Sequence, residues 1–192
     1  MNMKAITVKQ PWASLIGHGI KDIENRTWRT NFRGRVLIHA ARSRGKKFKI
    51  DLTDDQMKFA FPVVTKECMF GNFPFGAIIG SVEIMDCVVN HSSIWAEKTE
   101  EYTIGINPRV HERITGKKVI YNWVLTNPVL FPEPIPCKGK LSLWEYPNIQ
   151  IPELDENGHG VCTCSMNVKE ESQVRRMIDY FECCYCGGRW YK

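Results

Sequence analysis

Long apolar runs are missing from this 192-residue chain. No stretch approaches the ~18 consecutive apolar residues that a membrane helix needs, so membrane partners are not expected. A glycine-rich phosphate loop is missing too. The nearest pattern, Gly71-Asn72-Phe73-Pro74-Phe75-Gly76, reads as a turn with aromatic packing and not as a nucleotide fingerprint. Strict alternation of strands and helices is absent, which argues against a Rossmann-type fold. There is no internal repeat and no low-complexity tract. Most telling is a local absence: from Arg26 to Lys49 there are nine Lys or Arg and no Asp or Glu.

The apolar content of 43% is ordinary for a globular protein, and a chain of this length can bury a sizeable core. Met1-Asn2-Met3-Lys4 leads directly into a strand-like run, so no secretory signal is expected. The expected location is therefore a reducing one, the cytoplasm. Eight cysteines in such a compartment read as thiols or metal ligands before disulfides.

Charge is distributed unevenly. Residues 1–150 hold 21 Lys/Arg against 14 Asp/Glu, whereas residues 151–192 hold 5 against 7. The excess concentrates at Arg26, Arg29, Arg33, Arg35, Arg42, Arg44, Lys46, Lys47 and Lys49. An uninterrupted positive run attracts polyanions and releases counterions when it meets phosphates, so the expected partner is nucleic acid.

Strand-like runs occur at 4–9, 20–27, 35–41, 76–89, 119–126 and 138–146. Pro11 opens a helix whose apolar face is Trp12, Leu15 and Ile16, and Gly17 and Gly19 end it. Further helices are predicted at about 51–60, opened by Asp51 or Thr53, and at about 92–101. The fold class is α+β, with a small curled sheet or barrel and short helices. A turn-rich stretch at about 147–160 divides it into a domain over 1–150 and an extension over 151–192.

The extension carries five cysteines. Cys162-Thr163-Cys164 and Cys183-Cys184-Tyr185-Cys186 are two close thiol pairs separated by a predicted helix from Val168 to Phe181. Two such pairs can supply a tetrahedral zinc site. A structural Zn2+ held by Cys162, Cys164, Cys183 and Cys186, with Cys184 or His159 as alternates, would make a small zinc-ribbon or knuckle-like unit. So short a segment buries too little to fold without it. Such a unit could also dock a protein partner.

The densest mixed charge lies in Gly19-Ile20-Lys21-Asp22-Ile23-Glu24-Asn25-Arg26. On a regular strand Lys21 and Glu24 point to opposite faces, so all three ions meet only if the chain leaves the strand near Asp22 or Ile23. Otherwise Glu24 and Arg26 form a surface pair worth well under ~1 kcal/mol and Lys21 stands in solvent. Spacing does not choose between these.

The pattern Gly19, Lys21, Glu24, Arg26 resembles the signature of the ASCH domain, a PUA-like β-barrel. Gln10-Pro11-Trp12-Ala13, the run Arg33 to Ala40, Gly76 to Val82, Tyr121-Asn122-Trp123 and Pro134 to Gly139 match the family's further segments in order. The resemblance implies RNA-related work and does not extend to the cysteine-rich tail. Some bacterial members are amidohydrolases that deacetylate acetylcytidine, and others are described as ribonucleases. In the amidohydrolases the motif lysine, here Lys21, is catalytic; they carry threonine where this chain has Glu24.

The residues suggest roles of their own. Lys21 acts as base or nucleophile only when neutral; Glu24 can take a proton, leaving Lys21 and Arg26 to hold a phosphate or oxyanion. These three are the candidate catalytic residues. Candidate nucleic-acid contacts are Trp12, Trp28, Arg29, Arg33, Arg35, His39, Arg42, Arg44, Lys46 and Lys47, with the tryptophans and Phe32 able to stack on a splayed base. The expected function is RNA binding in a Lys21/Glu24/Arg26 pocket; the alternatives are hydrolysis of a modified nucleoside or RNA, and a zinc-dependent adaptor.

Overall fold

A computed structural model describes residues 2–42, 52–69, 73–103, 105–147, 174–176, 180–183 and 189–191. Six strands form one mixed sheet: β1 (Met3–Val8), β2 (Ile23–Arg26), β3 (Gly34–Ala40), β4 (Ala77–Val88), β5 (Tyr121–Pro136) and β6 (Leu143–Tyr146). Their order is β2-β5-β4-β3-β1-β6, with β1 and β3 parallel and the other pairs antiparallel. No helix among the described residues is long and apolar enough to cross a membrane.

The barrel expected from the family resemblance does not close, because β2 and β6 remain edges. Register shifts between Ile38 and His39 and at three places along β4 and β5 mark irregularities that bend the sheet. Bending brings β2 toward β1, and there a side chain substitutes for a ladder. Arg26 Nη2 on β2 donates to the Thr7 carbonyl on β1 at 2.7 Å. Strand β6 pairs only with Met3 to Ile6, so no β6 residue pairs with Thr7.

Inside the curve lies the main core, built on Ile6, Val8, Ile16, Val36, Ile38, Val82, Ile84, Trp123 and Leu125. A second cluster joins α1 (Trp12–Gly17) to α2 (Asp54–Met69) through Leu15, Ile23, Ala60, Val63, Val64 and Trp95. Helix α2 opens on a reciprocal capping box: Thr53 Oγ1 accepts from the Gln56 amide, and Gln56 Oε1 accepts from the Thr53 amide. It outruns the predicted 51–60 and continues through Pro62 to Met69.

The helix expected at 92–101 is absent. Its amides are taken by side chains: Ser93 by His91, Trp95 by Ser93, Glu97 by Asn25 and Thr99 by Asn90. The bonds within 91–95 are local and offer the backbone an alternative to helix, whereas Asn25 and Asn90 reach in from outside the segment. The helix in this region is α3 (Pro108–Thr115), with Asn107 as N-cap, Pro108 at its first position and Gly116 at φ 71 ending it.

In the extension the predicted helix over 168–181 is also corrected. Val174–Arg176, Tyr180–Cys183 and Arg189–Tyr191 are strands β7, β8 and β9 of an antiparallel three-stranded sheet. Tyr180, Phe181, Trp190 and Tyr191 are aromatic residues that favour strand. Cys183 ends β8, whereas Cys162, Cys164, Cys184, Cys186 and His159 lie outside the described residues. Among the described residues no His, Cys, Asp and Glu cluster is suited to a metal.

Candidate functional site

Helix α1 delivers the first charge. Beyond its last turn the Gly19 amide bonds to the Ile16 carbonyl and the Ile20 amide reaches back to Leu15, the two bonds of a Schellman motif. The motif requires a left-handed residue, and Gly19 supplies it at φ 72. Leu15 also accepts from the Lys21 amide, so Lys21 leaves the helix end at a fixed angle. This is why the glycine stands two residues before the lysine.

Lys21 and Asp22 precede β2, and that irregular pair resolves the strand-alternation conflict. Lys21 Nζ donates to the Ile23 carbonyl and lies 3.4 Å from Glu24 Oε2. The other oxygen, Glu24 Oε1, pairs with Arg26 Nη2 at 3.1 Å. The three ions do meet, as a chain of cation, carboxylate, cation. Lys21 and Glu24 side chains are only 5% and 11% exposed, which removes the solvated surface pair from consideration. Burial pushes the Lys21 ammonium below the usual lysine value, and Glu24 opposes the shift.

The surroundings are apolar on one side and aromatic on the other. Glu24 is the only charged residue lining a small recess formed with Ile6, Val36, Ile84, Trp123 and other core residues. Lys21 Nζ sits 6.0 Å from the Trp12 ring centre, and Trp12 meets Trp95 edge-on at 6.4 Å. Trp95 belongs to the 90–100 loop, which Asn25 and buried Asn122 pin against β2 and β5. Arg26 Nε is buried without a hydrogen-bond partner, leaving one donor of the cluster unspent.

Thr7 is a residue that sequence reasoning missed. Its carbonyl takes Arg26, while its hydroxyl bonds the Lys140 carbonyl at 2.9 Å and accepts from Trp144 Nε1 at 3.2 Å. It therefore joins the ion cluster to the loop after β5.

The other expected contacts are placed differently. Arg33 pairs with Asp86 at 2.8 Å and Arg35 with Glu83 at 2.9 Å, both carboxylates coming from β4. Trp28 packs edge-on against Trp123 at 4.6 Å, as part of the core wall. His39 is buried, with Nε2 3.2 Å from the Cys137 carbonyl and its ring edge-on to Trp144. A Cβ on Gly139 would fall 2.4 Å from His39 Cε1, so only glycine lets that loop close over the ring. Arg29 and Arg42 are exposed. Arg44, Lys46 and Lys47 lie outside the described residues.

The family model described as the ASCH domain matches residues 6–135. Activating signal cointegrator 1 from Homo sapiens is 33% identical over 85 residues, and the Mus musculus protein of that name matches equally. The aligned stretch covers 43% of this chain and 14% of either relative.

Proposed function

We propose an RNA-binding role for this chain, which belongs to the ASCH domain family, with Lys21, Glu24 and Arg26 as the floor of the recognition pocket. The observation that carries this reading is a buried carboxylate shared by the buried Lys21 ammonium and the partly buried Arg26 guanidinium. The trio keeps one positive charge in excess where little water screens it, and an anionic oxygen is attracted there far more than in bulk. The unspent Arg26 Nε supports the same reading, since it is a donor awaiting an acceptor. The family's association with RNA supplies the ligand class.

A second reading, hydrolysis of a modified nucleoside or of RNA, is favoured by the lowered affinity of Lys21 for its proton. A lysine tuned downward by burial is closer to serving as base or nucleophile. Incubating the full chain with short RNAs at low salt and with acetylated nucleosides separates the readings. RNA retention without product, weakened in Lys21→Ala, supports binding. Product that vanishes in Lys21→Ala moves the function to hydrolysis, and neither retention nor product overturns both.

For residues 151–192 the proposal is a structural Zn2+ on Cys162, Cys164, Cys183 and Cys186, supported by the thiol spacing and by so short an extension needing a staple. Metal analysis by mass spectrometry is expected to find one zinc per chain; none in carefully prepared protein removes it.

A further inference from the structure

One end of the sheet gathers cations that the sequence scatters over 130 residues. Val8 pairs with Ala40, Ala40 with Ala77, and Ala77 with Pro136, so four adjacent strands reach one level. Backbone bonds tie the segments just beyond it: the Ala41 amide to Val8, the Gly76 amide to Ala40 and the Cys137 amide to Gly76. Past this row come Lys9 after β1 and Arg42 after β3, while the loop after β5 carries Lys138 and Lys140 back across His39 and Thr7. All four are exposed. Three strand spacings of about 4.8 Å make the row about 15 Å wide.

Among the described residues no ion pair neutralises this row. The ion pairs found among the described residues involve other cations: Lys4, Lys21, Arg26, Arg33, Arg35, Lys58 and Lys117. The segments 9–11, 41–42, 73–76 and 137–142 contain no Asp or Glu. Arg42 is stationed there by packing, since a Cβ on Gly76 would lie 3.7 Å from its Cγ. Lys140 sits 5.7 Å from the Trp144 ring centre, and its carbonyl is held by Thr7, the residue that also anchors Arg26. The row and the ion cluster thus share a residue.

We infer that Lys9, Arg42, Lys138 and Lys140 form a phosphate-binding track that leads a single RNA strand to the Lys21/Glu24/Arg26 cluster. This rests on the RNA-binding reading and relocates its electrostatic surface. The Arg33 and Arg35 face is already neutralised by Asp86 and Glu83, whereas the strand-end row offers uncompensated charge. Exposed cations clustered at one end of the sheet are what a strand of phosphates can meet in succession.

The test measures fluorescence anisotropy of a labelled 20-nucleotide single-stranded RNA with the full chain between 50 and 300 mM salt. Lys138→Gln/Lys140→Gln is compared with Lys58→Gln/Lys117→Gln, which removes the same charge from exposed, ion-paired lysines elsewhere. The track predicts about tenfold weaker binding for the first pair at low salt, with a log–log salt slope shallower by about 1.4, and wild-type behaviour for the second. Adding Lys9→Gln and Arg42→Gln lowers the slope by about 1.4 again. Wild-type binding that survives all four changes overturns the track and leaves the RNA reading standing. Wild-type protein that ignores RNA overturns that reading, and sedimentation with phosphatidylserine vesicles through Lys138 and Lys140 would assign the row to a membrane surface instead.

Discussion

Two sets of cation–carboxylate pairs lie on this sheet, and their distances rank them in the wrong order. On the β3–β4 face Arg33 and Arg35 hold Asp86 and Glu83 at 2.8 and 2.9 Å. In the curve of the sheet Glu24 holds Arg26 and Lys21 at 3.1 and 3.4 Å. The longer contacts are nonetheless the ones on which the fold depends more. Water competes for Asp86, whose side chain is 56% exposed, but reaches little of Lys21 or Glu24. Screening, more than separation, sets how much a missing partner costs.

The sharpest way to break this comparison is to remove the inner carboxylate. Glu24→Gln takes the shared carboxylate from the buried Lys21 and the partly buried Arg26, and a loss of about 3 kcal/mol is expected from urea unfolding. A loss near that of the outer pairs would mean the cluster is hydrated. The same burial carries a pH signature. Because Lys21 holds its proton less tightly when folded, the unfolded chain binds more protons between that lowered value and about 10.5. Stability is therefore expected to rise with pH through this alkaline window, and the rise should be missing in Lys21→Met. Equal slopes for the two proteins would show that the ammonium is not destabilised by burial.

Strand-like runs marked all six sheet strands, although β5 continues to Pro136 beyond the expected 126 and β6 begins only at Leu143, and glycines marked the end of α1. The meeting of Lys21, Glu24 and Arg26 was legible only as a condition, that the chain leave the strand near Asp22 or Ile23; α1 and Gly19 impose that departure. Thr7 escaped because a backbone carbonyl carries no sequence signal. Helix α3 escaped although Asn107-Pro108 and Gly116 are start and stop signals, since the charged, apolar mixture at 92–101 looked more helical. There long-range bonds from Asn25 and Asn122 decide the loop, and no local window contains them. The basic run read as one surface because sequence shows the cations of 26–49 but not the β4 carboxylates opposite two of them.

A middle-sized effect sharpens the geometric half of the comparison. Gly19→Ala places a Cβ where φ is 72 and where Pro128 Cγ would stand 3.1 Å away. The left-handed backbone alone costs about 1–2 kcal/mol for a non-glycine residue. Thermal unfolding should register that loss together with weaker RNA retention, because Lys21 is aimed by the bonds Gly19 permits. A destabilised protein with unchanged retention would separate helix termination from the site.

The smallest effect belongs to the outer face. Arg33→Ala removes a pair whose side chains are 38% and 56% exposed, together with bonds from Arg33 to the Thr30 and Phe32 carbonyls. Asp86 does not become an orphan, because it also accepts from the Cys87 amide at 2.7 Å and is open to water. A loss of no more than about 1 kcal/mol is therefore expected, shrinking further at high salt. Arg35→Ala should cost more than Arg33→Ala, since its side chain is less than half as exposed and its guanidinium also bonds Ser81 Oγ and the Asn127 carbonyl. Measuring both against Glu24→Gln in low and high salt turns the contrast into a graded series. If Arg33→Ala proved as damaging as Glu24→Gln, burial would not be the variable that separates the two regions.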